Sequence, residues 1–219
     1  MAITKDELQQ RRSPKELWFF AHRVRDEASV DPLQRTEAYS HKGLYKQFID
    51  EILPLSDFAV LQYPETCTVE PVLGSQGYDA IIFDSSGHEC DRIEIKKPYD
   101  GAGRAEDGRL ILERGYGNDH GGVPGYELVP LIPFVLATCQ ATLLKDYSDC
   151  TLVFVVPVLE PFPFPDFQQR FETDLANLAR QISDFRLNAK RVFLFVPPKR
   201  VLQIVSAPTI STANRNEGL

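Results

Sequence analysis

Residues 151–156, TLVFVV, form an unbroken run of apolar and β-branched side chains. Successive side chains of a strand point to opposite faces, so a strand with one wet face alternates, and an uninterrupted run marks a strand covered on both sides. The flanking segments supply helices for that cover. FVLATCQATLLKDY at 134–147 is apolar on nearly every side and predicts a buried helix. After the proline-rich connector PVLEPFPFP, Asp166 can cap a helix in which Phe171, Leu175, Leu178, Ile182 and Phe185 keep a 3.6-residue period. VFLFV at 192–196 and VLQIV at 201–205 read as two further strands.

The N-terminal half adds helices and more strands. Ser13, Pro14 and Glu16 make a capping-box pattern, and Leu17, Phe20, Ala21 and Val24 continue it as a helix over 14–28. A loop is expected around SVDPLQ. Leu44, Tyr45, Phe48, Ile49 and Ile52 then predict a helix over 37–53 that Pro54 ends. Strands are expected at 57–63, 77–84 and 91–97, the last two joined by the turn SSGHE, in which Asp84 is read as a turn former. Glycine-rich residues 98–125 read as a long loop, and 206–219 as a flexible tail.

Strand runs alternating with helices imply an α/β fold, a three-layer sandwich with a mixed central sheet flanked by helices. The 219 residues suffice for one domain. Its expected parts are an N-terminal helical extension over 1–36, a core over 37–157, a C-terminal helix and strands over 158–205, and the tail.

Charge and cysteine usage narrow the function classes. With 31 acidic against 24 basic residues the net charge is -7, which argues against coating a nucleic acid through bulk charge. Any polyanion must be met locally. The four cysteines form no CxxC pair and predict reduced, buried thiols. No apolar leader region and no stretch of ~18 apolar residues is present, so a cytoplasmic protein without a membrane partner is expected.

Against this background, Asp79, Glu94 and Lys96 stand out because they lie on strands bound for an interior. Alternation sends Glu94 and Lys96 to one face and Ile93, Ile95 and Lys97 to the other. If SSGHE folds the strands back, Asp79 lies beside the end of the second one. Two carboxylates and one ammonium in a partly dry site leave excess negative charge. A hard divalent cation with oxygen ligands relieves it, and a lysine can then act on a water or on phosphate charge. The plainer reading is a surface hairpin with a cross-strand ion pair worth ~0.2–1 kcal/mol.

Asp79, separated by fourteen residues from Glu94-Ile95-Lys96 on paired strands after a helix, resembles the PD-(D/E)xK superfamily of restriction-endonuclease-like nucleases, over residues 37–157. Tyr78 stands where the family's first motif has its proline. The resemblance implies a restriction-endonuclease-like core and a nuclease using Mg2+ or Mn2+. Asp79, Glu94 and the carbonyl of Ile95 would hold the metal, Lys96 would act on the attacking water, and a helical glutamate, Glu51 or Glu37, would complete the site. Lys97, with Tyr116 and His120 of GYGNDHGG, are candidate substrate contacts. DNA is the expected partner, with a homodimer for cutting both strands of a duplex. The alternative is a catalytically silent scaffold or protein-interaction module that kept the fold.

Overall fold

Six strands form one mixed sheet whose spatial order follows the chain: β1 Thr68–Pro71, β2 Ala80–Phe83, β3 Glu89–Lys96, β4 Tyr147–Val155, β5 Ala189–Val196 and β6 Arg200–Ile204. The computed structural model describes residues 3–39, 43–74, 76–98, 110, 113–114, 128–156 and 165–204. The β1/β2, β2/β3 and β5/β6 pairs are antiparallel, and β3/β4 and β4/β5 are parallel. The central strands β3, β4 and β5 therefore all end at the same edge of the sheet.

Helices cover both faces, as the TLVFVV run requires. Val153 and Val155 of β4, with Phe193 and Phe195 of β5, join a core with α1 Lys5–Gln9, α2 Pro14–Val30 and α5 Leu53–Gln62, through Leu8, Leu17, Phe20, Leu55 and Phe58. Leu152, Phe154, Val192 and Leu194 join a second core with α6 Leu128–Thr142 and α7 Pro165–Asp184. Alternation along two strands thus sorts one apolar run into two cores. The N-terminal segment, expected as an extension, contributes directly to the first core. It also pairs Arg12 with Val69 through backbone bonds of 3.0 and 2.7 Å, which covers part of the edge of β1.

Local chemistry explains where the helices begin. Ser13 Oγ accepts from Glu16 N at 3.3 Å, and Glu16 Oε2 accepts from Ser13 N at 2.9 Å, a complete capping box at the start of α2. Ser13→Ala should lower stability by about 1 kcal/mol, read as a shifted urea midpoint with an unchanged slope. Thr4 and Glu7 cap α1 in the same way.

Three segments differ from expectation. The SVDPLQ loop is instead the end of α2, the single linking residue Asp31 and the start of α3 Pro32–Tyr39, because Asp31 Oδ1 accepts from Leu33 N and Gln34 N and Pro32 loses nothing at a first-turn position. The strand at 57–63 is helix α5. Here α4 Gly43–Gln47 runs through a π-helical turn, Phe48–Ile52, into α5, with Leu53 N donating to Phe48 O, and Pro54 falls at the junction of the π-helical turn with α5. Most of α5 is buried, so its apolar run carries no amphipathic signal, and β1 takes the missing strand's place. Finally, Cys67, Cys139 and Cys150 are buried free thiols but Cys90 is exposed: it is the residue skipped at a β-bulge, with Ile82 opposite Asp91 and Phe83 opposite Glu89. Among the described residues no helix is long and apolar enough to cross a membrane.

Candidate functional site

Strand β3 divides its side chains between the two cores. Ile93 and Ile95 pack into the core of α2 and α5, which leaves Glu94 and Lys96 on the face of α6 and α7. Asp79 prolongs β2: its N–H donates to Ile93 O at 2.7 Å and its carbonyl accepts from Val72 N at 2.8 Å. The Asp79 carboxylate reaches the next strand, where Oδ2 accepts from Ile95 N at 2.7 Å. The antiparallel register, with Ala80 opposite Ile93, sets Asp79 level with Glu94.

Glu94 is only 8% exposed. Its Oε1 accepts a hydrogen bond from Lys96 Nζ, while Oε2 is buried without any partner. The ammonium lies 5.0 Å from the centroid of the Tyr147 ring. Burial disfavours a charged Lys96, but the hydrogen bond and charge of Glu94, with help from Tyr147, more than offset it and raise its pKa.

The carboxylates carry the opposite strain. Burial, then the charge of Glu94, pushes Asp79 up to about 8, against the lowering effect of the Ile95 N–H. Glu51 is pushed up to about 7 by burial, by Asp50 and by Glu94. Burial and the charge of Glu94 oppose ionisation of both Asp79 and Glu51, and with one lysine near them the site is short of positive charge.

Glu51 belongs to the π-helical turn, and that turn is tied to the end of β3. Lys97 Nζ donates to Ile49 O at 3.1 Å and pairs with Asp50 Oδ1 at 3.4 Å, with both side chains nearly buried. Lys97 was a candidate substrate contact; its ammonium is engaged with the helix that carries Glu51. Of the two candidate helical glutamates, Glu51 is coupled to Asp79 and Glu94, whereas Glu37 is exposed on α3 and acts on Tyr45. Tyr116 and His120 lie outside the described residues. Asp84 is the turn former expected, since its Oδ1 accepts from Ser86 N and His88 N.

Two groups escaped the sequence reading. Tyr147 was expected at the end of a helix but opens β4 beneath Lys96; nothing in its spacing signals that. Asp57 accepts from Trp18 Nε1 at 2.9 Å and bonds His22 Nε2 at 2.7 Å, which fastens α2 to α5. His22 and Asp57 are 35 residues apart, too far for a local pattern to link.

The donors near Asp79 are oxygens, as a hard divalent cation requires, and Glu94 Oε2 is a buried oxygen with nothing to bind. As the side chains lie, no group of three or more His, Cys, Asp or Glu among the described residues is arranged to hold a metal ion, and Glu94 is turned to Lys96. The chain matches no family model, no curated protein and no solved structure.

Proposed function

We propose that this chain is a divalent-metal-dependent phosphodiesterase, a cytoplasmic nuclease acting on DNA through a restriction-endonuclease-like core. The observation that carries the reading is the buried, unpartnered Oε2 of Glu94, one strand away from the strained carboxylate of Asp79. Burying ionised oxygens without compensation costs several kcal/mol, and a cation is the simplest compensation. The mixed sheet, with two carboxylates and a lysine where β2 begins and β3 ends, supports the same reading.

Asp79, Glu94 and the carbonyl of Ile95 would hold Mg2+ or Mn2+, with Glu51 as a further carboxylate. When bound, such an ion supplies Lewis-acid charge to a phosphate. The remaining work falls to the protein. Lys96 donates to the attacking water and to charge developing on the phosphoryl oxygens. The Ile95 N–H holds the Asp79 carboxylate in one orientation. Two copies of the chain would serve the two strands of a duplex.

The test is degradation of plasmid, single-stranded DNA and RNA by purified protein with Mg2+ or Mn2+. The expected result is metal-dependent loss of DNA that a chelator stops. Lys96→Met should be slower by about 10²–10³-fold with the fold intact by circular dichroism. The second reading, a silent scaffold, is favoured by the engagement of Glu94 with Lys96 and by the absence of a three-residue metal cluster among the described residues. Intact substrate under every condition would establish it.

A further inference from the structure

Among the described residues, two buried side-chain polar atoms lack a hydrogen-bond partner: Glu94 Oε2 and the hydroxyl of Tyr147. Both belong to residues that meet the same ammonium. Lys96 Nζ donates to the other oxygen of Glu94 and lies 5.0 Å from the centroid of the Tyr147 ring. Tyr147 is 2% exposed and packs in the second core with Cys150, Leu152 and Leu187, so its hydroxyl has no bulk water to turn to. A hydroxyl buried in this way costs stability, and phenylalanine would fill the same space without that cost. Packing alone does not account for the oxygen.

We propose that Tyr147 is a positioning residue for Lys96, its hydroxyl oxygen receiving the ammonium when the Glu94 carboxylate turns to a cation. The role rests on the phosphodiesterase reading. A cation drawn to Glu94 competes for the same negative charge and repels the ammonium. Lys96 then needs a second acceptor, or it leaves the position from which it can reach a water. Tyr147 offers two features that suit a displaced cation: free lone pairs on its oxygen and the negative face of its ring. Being neutral, it does not compete for the metal as another carboxylate would. The remaining N–H groups of Lys96 stay free to donate to the attacking water.

The test uses Tyr147→Phe, which removes one oxygen and nothing else. On DNA at saturating Mn2+, kcat should fall about 10- to 100-fold, the worth of one hydrogen bond to a charged group. The half-saturating Mn2+ concentration and the KM for DNA should stay within about two-fold of wild type. Tm should be unchanged or higher, because a buried unpaired hydroxyl is lost. In the Lys96→Ala background the same substitution should add little, since the group it positions is gone. A merely structural tyrosine predicts a wild-type kcat. An active wild type with an equally active Tyr147→Phe overturns this role alone, as does a loss confined to KM or to metal affinity. A wild type without metal-dependent cleavage overturns it together with the phosphodiesterase reading.

Discussion

Replacing Asp79 with asparagine should remove activity and, in the same molecule, stabilise the metal-free fold above neutral pH. On the proposed reading Asp79 is a direct oxygen ligand, and its loss should cost at least the ~10- to 100-fold that outer partners of a metal site are worth. The gain in stability comes from a carboxylate that burial, and then Glu94, push from 3.8 up to about 8. Between those two values the folded chain keeps a proton that the unfolded chain has released, so this group makes stability fall as pH rises from about 4 to about 8. Glu51, raised to about 7, acts in the same direction over a narrower window. A tenfold change in proton affinity is worth about 1.4 kcal/mol, so Asp79→Asn should gain ~3–5 kcal/mol over wild type at pH 8.5 and nothing at pH 4. Asparagine can still accept from the Ile95 N–H, so the strand contact survives. Urea midpoints of the two proteins at three pH values measure the difference directly. Adding Mn2+ at pH 8 should raise the Tm of wild type and leave that of Asp79→Asn nearly unmoved. Equal midpoints at pH 8.5 would mean that the Asp79 carboxylate is well solvated, and the charge-deficient site would not exist.

How much of this was legible before the structure depends on the range of the interaction concerned. The doubly covered strand β4 is a property of consecutive residues, so TLVFVV announced helices on both faces. The shared face of Glu94 and Lys96 also follows from neighbours two apart on a strand. That Asp79 lies near the end of β3 needed only a turn, and Asp84 provides it through two backbone N–H groups, but the sequence places Asp79 beside Lys96 or just past it whereas the register sets it level with Glu94. Segment 57–63 failed because its helix is buried over six consecutive residues, Pro54 to Ala59, which erases the period that separates helix from strand, and because Pro54 reads equally well as the end of one helix or the first turn of another. The choice between Glu37 and Glu51 failed for a different reason. Both are acidic residues on helices, and only the tie from Lys97 to Ile49 O, across 48 residues, shows which turn is held against the end of β3. Tyr147 was hidden for a similar reason: its neighbour in space, Lys96, is remote along the chain and belongs to another strand.

Asp91, three residues before Glu94 on the same strand, should respond in the opposite sense. Its side chain is 2% exposed, as deeply buried as any in the site, yet it is fully partnered: Tyr63 Oη donates at 2.6 Å, Thr151 Oγ1 at 2.9 Å and Lys190 Nζ at 3.2 Å, and Arg191 adds a short contact. Burial alone would raise its pKa, but the Tyr63 hydroxyl, the Arg191 charge and Thr151 outweigh it and hold Asp91 below the ordinary value. A lowered pKa gives stability that is present above the unfolded value and lost as pH falls through the folded one, the reverse of Asp79. Asp91→Ala should therefore cost ~3 kcal/mol at pH 7, the lower end for a broken buried pair, because Lys190 and Arg191 reach solvent and can be rehydrated there. The cost should shrink toward pH 3, where wild type also begins to lose the charge. Asp91 shares the parity of Ile93 and faces the core of α2 and α5, away from Glu94 and Lys96, so the folded variant should keep metal-dependent cleavage near wild type. A stable Asp91→Ala with lost cleavage would reverse the assignment, making this fully bonded carboxylate, and not the strained pair of Asp79 and Glu94, the one that function requires.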